Sequence, residues 1–181
     1  MGKTERIQRM KSFCLCAVVC LWVANASAVD TELAVGNPDI LLEGIARTEN
    51  AAFDSNKVGD RELTYKAHGV LQIRQPYLDD VNRIAGPKAM VAIWGKPVLT
   101  IQDIKDPERA VWSAKVYLAH YGRRYERLTG KKPTSEIYAR IHNGGPDGWQ
   151  KYSTTRYWAK VKDRMNDVYA ATVARRSTGR T

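Results

Sequence analysis

Apolar residues along this chain recur mostly at helical spacing. Ile40, Leu41, Leu42, Ile45 and Ala46 make a wide apolar face. Asn37-Pro38 ahead of them pairs a capping residue with proline at the first helical position, so a helix is expected from Asn37 to about Asn50. Between Ala51 and Ala67 the period vanishes and Asp54, Asn56, Gly59 and Asp60 crowd together, which predicts a turn-rich loop or small irregular hairpin. Helical pattern resumes over Val70 to Ile73, and again after Pro76, where Tyr77, Leu78, Val81 and Ile84 recur until Gly86-Pro87 stops it. Asp106-Pro107 opens what reads as the longest helix, with Ala110, Ala114, Tyr117, Leu118, Tyr121 and Leu128 on one face and Gly130 at its end. A shorter helix follows from Thr134 through Ile137, Tyr138 and Ile141 to Gly144-Gly145. After a polar loop, Thr154 or Thr155 caps a last one carrying Trp158, Val161, Met165, Val168 and Thr172. The pattern predicts a mainly α domain with one small irregular β or loop region, and it contains no internal repeat.

The first 28 residues follow another logic. Lys3, Arg6, Arg9 and Lys11 precede an apolar stretch from Phe13 to Ala24 and then Ala26-Ser27-Ala28, the pattern of a secretory signal peptide cleaved after Ala28. The apolar stretch is far short of the roughly 20 residues a spanning helix needs, so membrane contact is expected only through this segment. The expected organisation is a signal peptide at 1–28, a linker at 29–36, a catalytic domain at 37–174 and a basic tail at 175–181. All 3 cysteines, Cys14, Cys16 and Cys20, fall in the signal segment. The exported part then has no thiol or disulfide, which points away from small disulfide-rich animal proteins and towards a bacterial or phage setting.

The chain carries a formal net charge of +10, and the leader holds four bases against Glu5, leaving the remainder near +7. A basic exported protein suits an anionic wall polymer. Nucleic acid is not expected as a partner, because the bases are scattered over helix faces and no binding motif accompanies them. His68, His120 and His142 lack the spacing of metal ligands, no phosphate-binding glycine loop begins a helix, and no cofactor is expected.

Candidate chemistry centres on Glu49, in the last turn of the first expected helix. A carboxyl there meets the negative end of the helix dipole, which disfavours its ionised form, and an apolar wall acts in the same direction. A carboxylic acid still protonated near neutral pH can give its proton to a departing glycosidic oxygen. By position alone Glu49 reads first as a solvated helix-end glutamate, a very common thing, and only the other motifs change that. Asp54 and Asp60, in the loop that follows, are the candidates for a second carboxylate.

Taken in order, Thr48-Glu49-Asn50, Gly69-Val-Leu-Gln-Ile73, Ile141-His-Asn-Gly-Gly-Pro146 and Thr154-Thr-Arg-Tyr157-Trp-Ala-Lys-Val161 resemble the motifs of soluble lytic transglycosylases and the related goose-type lysozymes. The resemblance covers roughly Asn37 to Met165. It implies a lysozyme-like fold and an acid, Glu49, that later acts as base. It further implies that Gln72, His142 and Asn143 line the groove for the N-acetyl sugars, and that Tyr157 packs against Glu49 and helps hold it. Two positions depart from the family pattern: Asn50 stands where a serine is usual, and His142 where a tyrosine is usual, which brings a titratable ring near the expected sugar site.

The expected activity is cleavage of the β-1,4 bond between N-acetylmuramic acid and N-acetylglucosamine in peptidoglycan glycan strands, by an exported protein, periplasmic or secreted. The lytic transglycosylase outcome needs one protein carboxylate, because the muramic acid 6-hydroxyl attacks within the substrate. A hydrolytic lysozyme, phage lysis enzymes included, normally needs two. A wall-polysaccharide-binding module that kept the fold without turnover is the alternative from another class.

Overall fold

Proline and glycine divide most of the chain into its helices. The computed structural model describes residues 38–178, with side chains to 174. The expected leader at 1–28, the linker at 29–36, the cap Asn37 and residues 179–181 lie outside the described residues.

Helix α1 (Pro38–Glu49) starts on its proline and buries Leu41, Leu42, Ile45 and Ala46, the face read from the sequence. The non-periodic stretch after it contains two two-residue strands, β1 (Val58–Gly59) and β2 (Ala67–His68), paired antiparallel with Val58 opposite His68. Helices α2 (Gln75–Ala85) and α3 (Pro87–Trp94) follow. Next come a 3-10 turn at Asp103–Lys105 and the 23-residue α4 (Pro107–Thr129). Then α5 (Ser135–Gly144), two further 3-10 turns and α6 (Thr155–Thr178) complete the order. The molecule is mainly α with a small sheet, as the pattern predicts.

The capping chemistry of α4 is the expected one: Asp106 accepts from the Glu108 amide and Gly130, in the left-handed region, closes the far end. Thr134 likewise accepts from the Ile137 amide at the start of α5. Leu41, Ile45, Leu71, Ile73, Leu78, Leu118 and Ile141 are fully buried and form the core between these helices. Each such side chain contributes roughly 1.5–3 kcal/mol through loss of apolar surface from water.

Five expectations are corrected. Val70 to Ile73 is not helical, because Gly69 and Gln72 both have positive φ (74° and 49°) and Ile73 instead bridges back to His68. Gly86-Pro87 does not merely stop α2. Its proline also opens α3, since a residue without an N–H loses nothing at a helix start. Leu128 is 60% exposed, because the buried stripe of α4 runs through Tyr125 and the last turn continues past the buried layer. Thr154 caps nothing: its buried hydroxyl sits between the carbonyl oxygens of Gly148 and Lys151. Finally, α6 has 24 residues, one more than α4, which the sequence marks as the longest.

The elements that carry the site are tied to the two ends of the chain. Helix α1 packs most extensively on α6, and α4 on α2 and the 3-10 turn before it. A side chain at Gly44 would meet Met165 Cγ at 2.6 Å, so glycine there lets α1 and α6 approach closely. Asp103 anchors the loop ahead of α4, accepting from the Thr100 amide and hydroxyl and pairing with Lys96 at 2.5 Å and Arg109 at 2.6 Å. These partners hold its carboxyl down at about 2 despite burial.

Candidate active site

The last residue of α1 opens into a cleft of about 1060 Å³. Its walls come from the β1–β2 hairpin, the segment from Gln72 to Asp80, Tyr117 of α4 and the run from His142 to Thr154. Glu49 is largely buried, and loss of water raises its carboxyl above the usual range. Tyr157, Lys57 and Arg74 pull the other way without cancelling that effect, and Asp60 adds to it by like-charge repulsion. Of the two causes argued from the sequence, the helix end and an apolar wall, it is burial that acts most strongly.

Tyr157 reaches Glu49 from α6, as expected. Its hydroxyl is close enough to favour the ionised carboxylate, yet it is buried and completes no hydrogen bond of normal geometry. Burial and the neighbouring Glu49 together push the phenol well above its ordinary value, so it stays protonated. On the other side, the Lys57 ammonium donates to the Glu49 main-chain carbonyl and ties the hairpin to the end of α1.

The two aspartates offered by the sequence separate cleanly. Asp54 is exposed, does not line the cleft, and accepts from the Asn56 amide at 2.8 Å in a turn. Asp60 lines the cleft with Glu49 and is ion-paired with Arg74. Its backbone is left-handed, φ 50°, a conformation that costs a non-glycine residue energy and persists where the surroundings impose it.

Gln72 and His142 sit in the cleft wall, but their polar atoms are turned to the protein. The Gln72 amide donates to the Gly69 carbonyl at 2.7 Å and leans towards that of Lys57 at 3.4 Å. The His142 ring is buried, with Nε2 at 3.1 Å from the Leu71 carbonyl and Nδ1 at 3.4 Å from the Tyr77 hydroxyl. The carbonyl can only accept, so Nε2 carries the proton and donates. Desolvation lowers this histidine to about 4, which keeps it neutral. The expected titrating ring beside a sugar is therefore a neutral strut between α5 and the Gly69–Ile73 turn. Asn143, next to it, is exposed in the cleft with its amide open to a ligand. Asn50, in place of the usual serine, is buried and clasps the Asp54 backbone through both side-chain atoms, at 2.7 and 3.3 Å.

Sequence reasoning missed Arg74, Lys57 and the Tyr77–Tyr117 stack, whose ring centroids lie 3.6 Å apart beside the cleft. Tyr77 and Tyr117 both carry helical-face periodicity and so read as core. Arg74, just ahead of Gln75-Pro76, carries no local signal of its partner. Among the described residues, no group of three or more His, Cys, Asp or Glu could hold a metal ion. No helix among them is long and apolar enough to cross a membrane.

No family model matches the chain. Its sequence is similar to the lysozyme of Magallana gigas, 54% identical over 48 residues, which are 26% of this chain and 35% of that protein. It is 43% identical to the lysozyme of Ostrea edulis over 96 residues, 53% of this chain and 58% of that one. It is 37% identical to the lysozyme of Meretrix lusoria over 51 residues, 28% and 42% of the two chains. The chain thus matches less than two thirds of the length of each of these relatives. A lysozyme-like relationship agrees with the resemblance read from the motifs; none of these names specifies a goose-type enzyme or a transglycosylase. A chain of the crystal structure of Aeromonas hydrophila PliI in complex with Meretrix lusoria lysozyme is also similar, with 23% identity and a TM-score of 0.47 over 68% of this chain and 87% of that one.

Proposed function

We propose that this chain is an exported lysozyme-type glycosidase that hydrolyses the β-1,4 bond between N-acetylmuramic acid and N-acetylglucosamine in peptidoglycan. The observation that carries the reading is a pair of carboxyl groups in one cleft with unlike surroundings. Glu49 is buried and held towards its protonated form, while Asp60 is paired with a guanidinium. A buried acid and a second carboxyl group in one cleft can divide the acid and the anionic roles between them. The similarity to proteins named lysozyme supports the same class.

In the proposed mechanism Glu49 protonates the leaving glycosidic oxygen, and afterwards its carboxylate takes a proton from water. Asp60 supplies the negative charge that stabilises the sugar cation or attacks it. Tyr157 covers Glu49 with an apolar ring and offers a hydroxyl to the carboxylate formed in the first step. Asn143 presents an amide, donor and acceptor at once, to an acetamido group. Gln72 and His142 contribute by shaping the wall rather than by touching the sugar. Lys57, Arg74 and Lys151 in the cleft suit an anionic wall polymer, and export, whether to the periplasm or the medium, brings the enzyme to it.

Incubation of the protein with purified sacculi, followed by mass spectrometry of the soluble fragments, tests the reading. Reducing-end muropeptides are expected. Products carrying only 1,6-anhydro ends would overturn the two-carboxylate hydrolase and reinstate the single-acid lytic transglycosylase.

A further inference from the structure

We propose that Arg74 is a positioning residue for this reaction, holding the Asp60 carboxylate in place beside Glu49, with the Gln72 side chain fixing the backbone from which Asp60 projects. The inference rests on the two-carboxylate reading above and assigns what keeps the second carboxylate in place.

Three observations support it. Asp60 sits on a hairpin of only two paired residues per strand, in a left-handed conformation that a non-glycine residue adopts at some cost. Such a loop needs an external hold if its carboxylate is to stay in one geometry. Arg74 supplies a side-chain hold, because it pairs with Asp60 from the segment that follows the hairpin. Its own backbone is braced on both sides, by the Ile73 bridge to His68 and by the start of α2, where Arg74 occupies the cap position.

Gln72 supplies the backbone hold. Its Oε1 lies in the space that a side chain at position 59 would occupy, and its Nε2 donates to Gly69 and faces the Lys57 carbonyl. The glycine immediately before Asp60 is thus wedged against Gln72, itself left-handed. His142 anchors the residue before Gln72 through the Leu71 carbonyl, so the turn that carries Gln72 and Arg74 is fastened to α5. A guanidinium that only decorated the surface would need none of this bracing. Both partners are partly open to water, with side chains 46% and 38% exposed, so the ion pair itself adds little to folding stability. Its effect is geometric and electrostatic. The groups that face Glu49 are Tyr157, Lys57, Asp60 and Arg74, and the last two act on it in opposite directions.

The test is steady-state kinetics on a soluble N-acetylglucosamine oligomer with Asp60→Asn, Arg74→Gln and Arg74→Lys, together with NMR titration of the Glu49 carboxyl. Arg74→Gln is expected to lower kcat by about 10- to 100-fold, the size of an effect caused by misplacing a reacting group, with KM changed less than about 2-fold. Glu49 titrates higher in Arg74→Gln, which loses a cation, and lower in Asp60→Asn, which loses an anion. Arg74→Lys keeps the charge and loses the fork, so it restores the Glu49 titration while recovering only part of kcat. Wild-type kcat in Arg74→Gln overturns the proposal, and Asp60→Asn then tells the cause. If Asp60→Asn is inactive, the two-carboxylate reading stands and Arg74 is incidental; if Asp60→Asn is active, both fall. A slow Arg74→Gln beside an active Asp60→Asn also overturns it, since Arg74 would then act through another group. If Arg74→Gln fails to fold, Arg74→Lys with wild-type kcat overturns the proposal on its own.

Discussion

Nε2 of His142 lies 3.1 Å from the carbonyl oxygen of Leu71, joining the helix that carries Asn143 to the turn that carries Gln72. The bond by itself favours the charged ring, but burial outweighs it and lowers the histidine from 6.5 to about 4, so the ring stays neutral. The unfolded chain takes up this proton near its ordinary value and the folded chain does not. Stability from this group is therefore complete above about pH 6.5 and is lost as the pH falls towards 4. The loss over that window is about 3 kcal/mol. Urea unfolding at pH 7 and pH 4 should show it, and His142→Gln should flatten the difference while lowering stability at pH 7.

Glu49→Gln is expected to reduce turnover on sacculi by about 10²- to 10⁴-fold, the usual contribution of a positioned acid. The same change should raise the thermal midpoint at pH 7. A carboxyl whose folded value lies above 4.5 costs stability as the pH rises through and beyond the window between the two values, and glutamine removes that cost. Lost turnover together with an unchanged or lower midpoint would contradict the burial argument. Tyr157→Phe takes away an interaction that lowers Glu49, so the alkaline limb of the pH–rate profile should move up.

Asp60→Asn and Asp54→Asn provide an internal contrast within one loop. Activity should be lost in the first and kept in the second, because Asp54 is exposed and serves only to accept a turn amide, a role asparagine fills at a cost of about 0.5 kcal/mol or less. Comparable activity in both variants would remove Asp60 from the chemistry.

Gly122 tests the core behind the cleft. A side chain added to it on α4 would run into the ring of Tyr138, which is only 2% exposed on α5 and has little room to move. Gly122→Ala should cost about 1–3 kcal/mol in urea unfolding despite alanine's better helix propensity. A neutral result would mean that α5 shifts freely.

What could be read from the sequence was what local chemistry decides. Asp106-Pro107 and Gly130 delimit α4, Thr134 caps α5, and the apolar face of α1 is the buried one. Positive φ at Gln72 broke a short apolar run that otherwise passes for helix, and Pro87 served as a start where it reads as a stop. The site was legible in part for the same reason. Tyr157, which faces the Glu49 carboxyl, lies 108 positions away, and only the family resemblance joined the two. Arg74 and Asp60 are 14 residues apart across a hairpin whose register no local pattern dictates. The commitment of the His142 and Gln72 polar atoms to backbone carbonyls is likewise a tertiary fact, invisible while they read as residues facing a sugar.

The close approach at Gly44 links distant parts of the chain in a way that bears on trimming the protein. Met165 and Val161 press on the helix that ends in Glu49, so the seat of the candidate acid is built from the chain's last helix. Among the residues whose side chains are described, Val168 is the last buried one of that helix, so shortening from the far end should be tolerated down to about there. Beyond that point each lost turn loosens the cleft from behind, first at Met165 and Val161, before Tyr157 itself is reached.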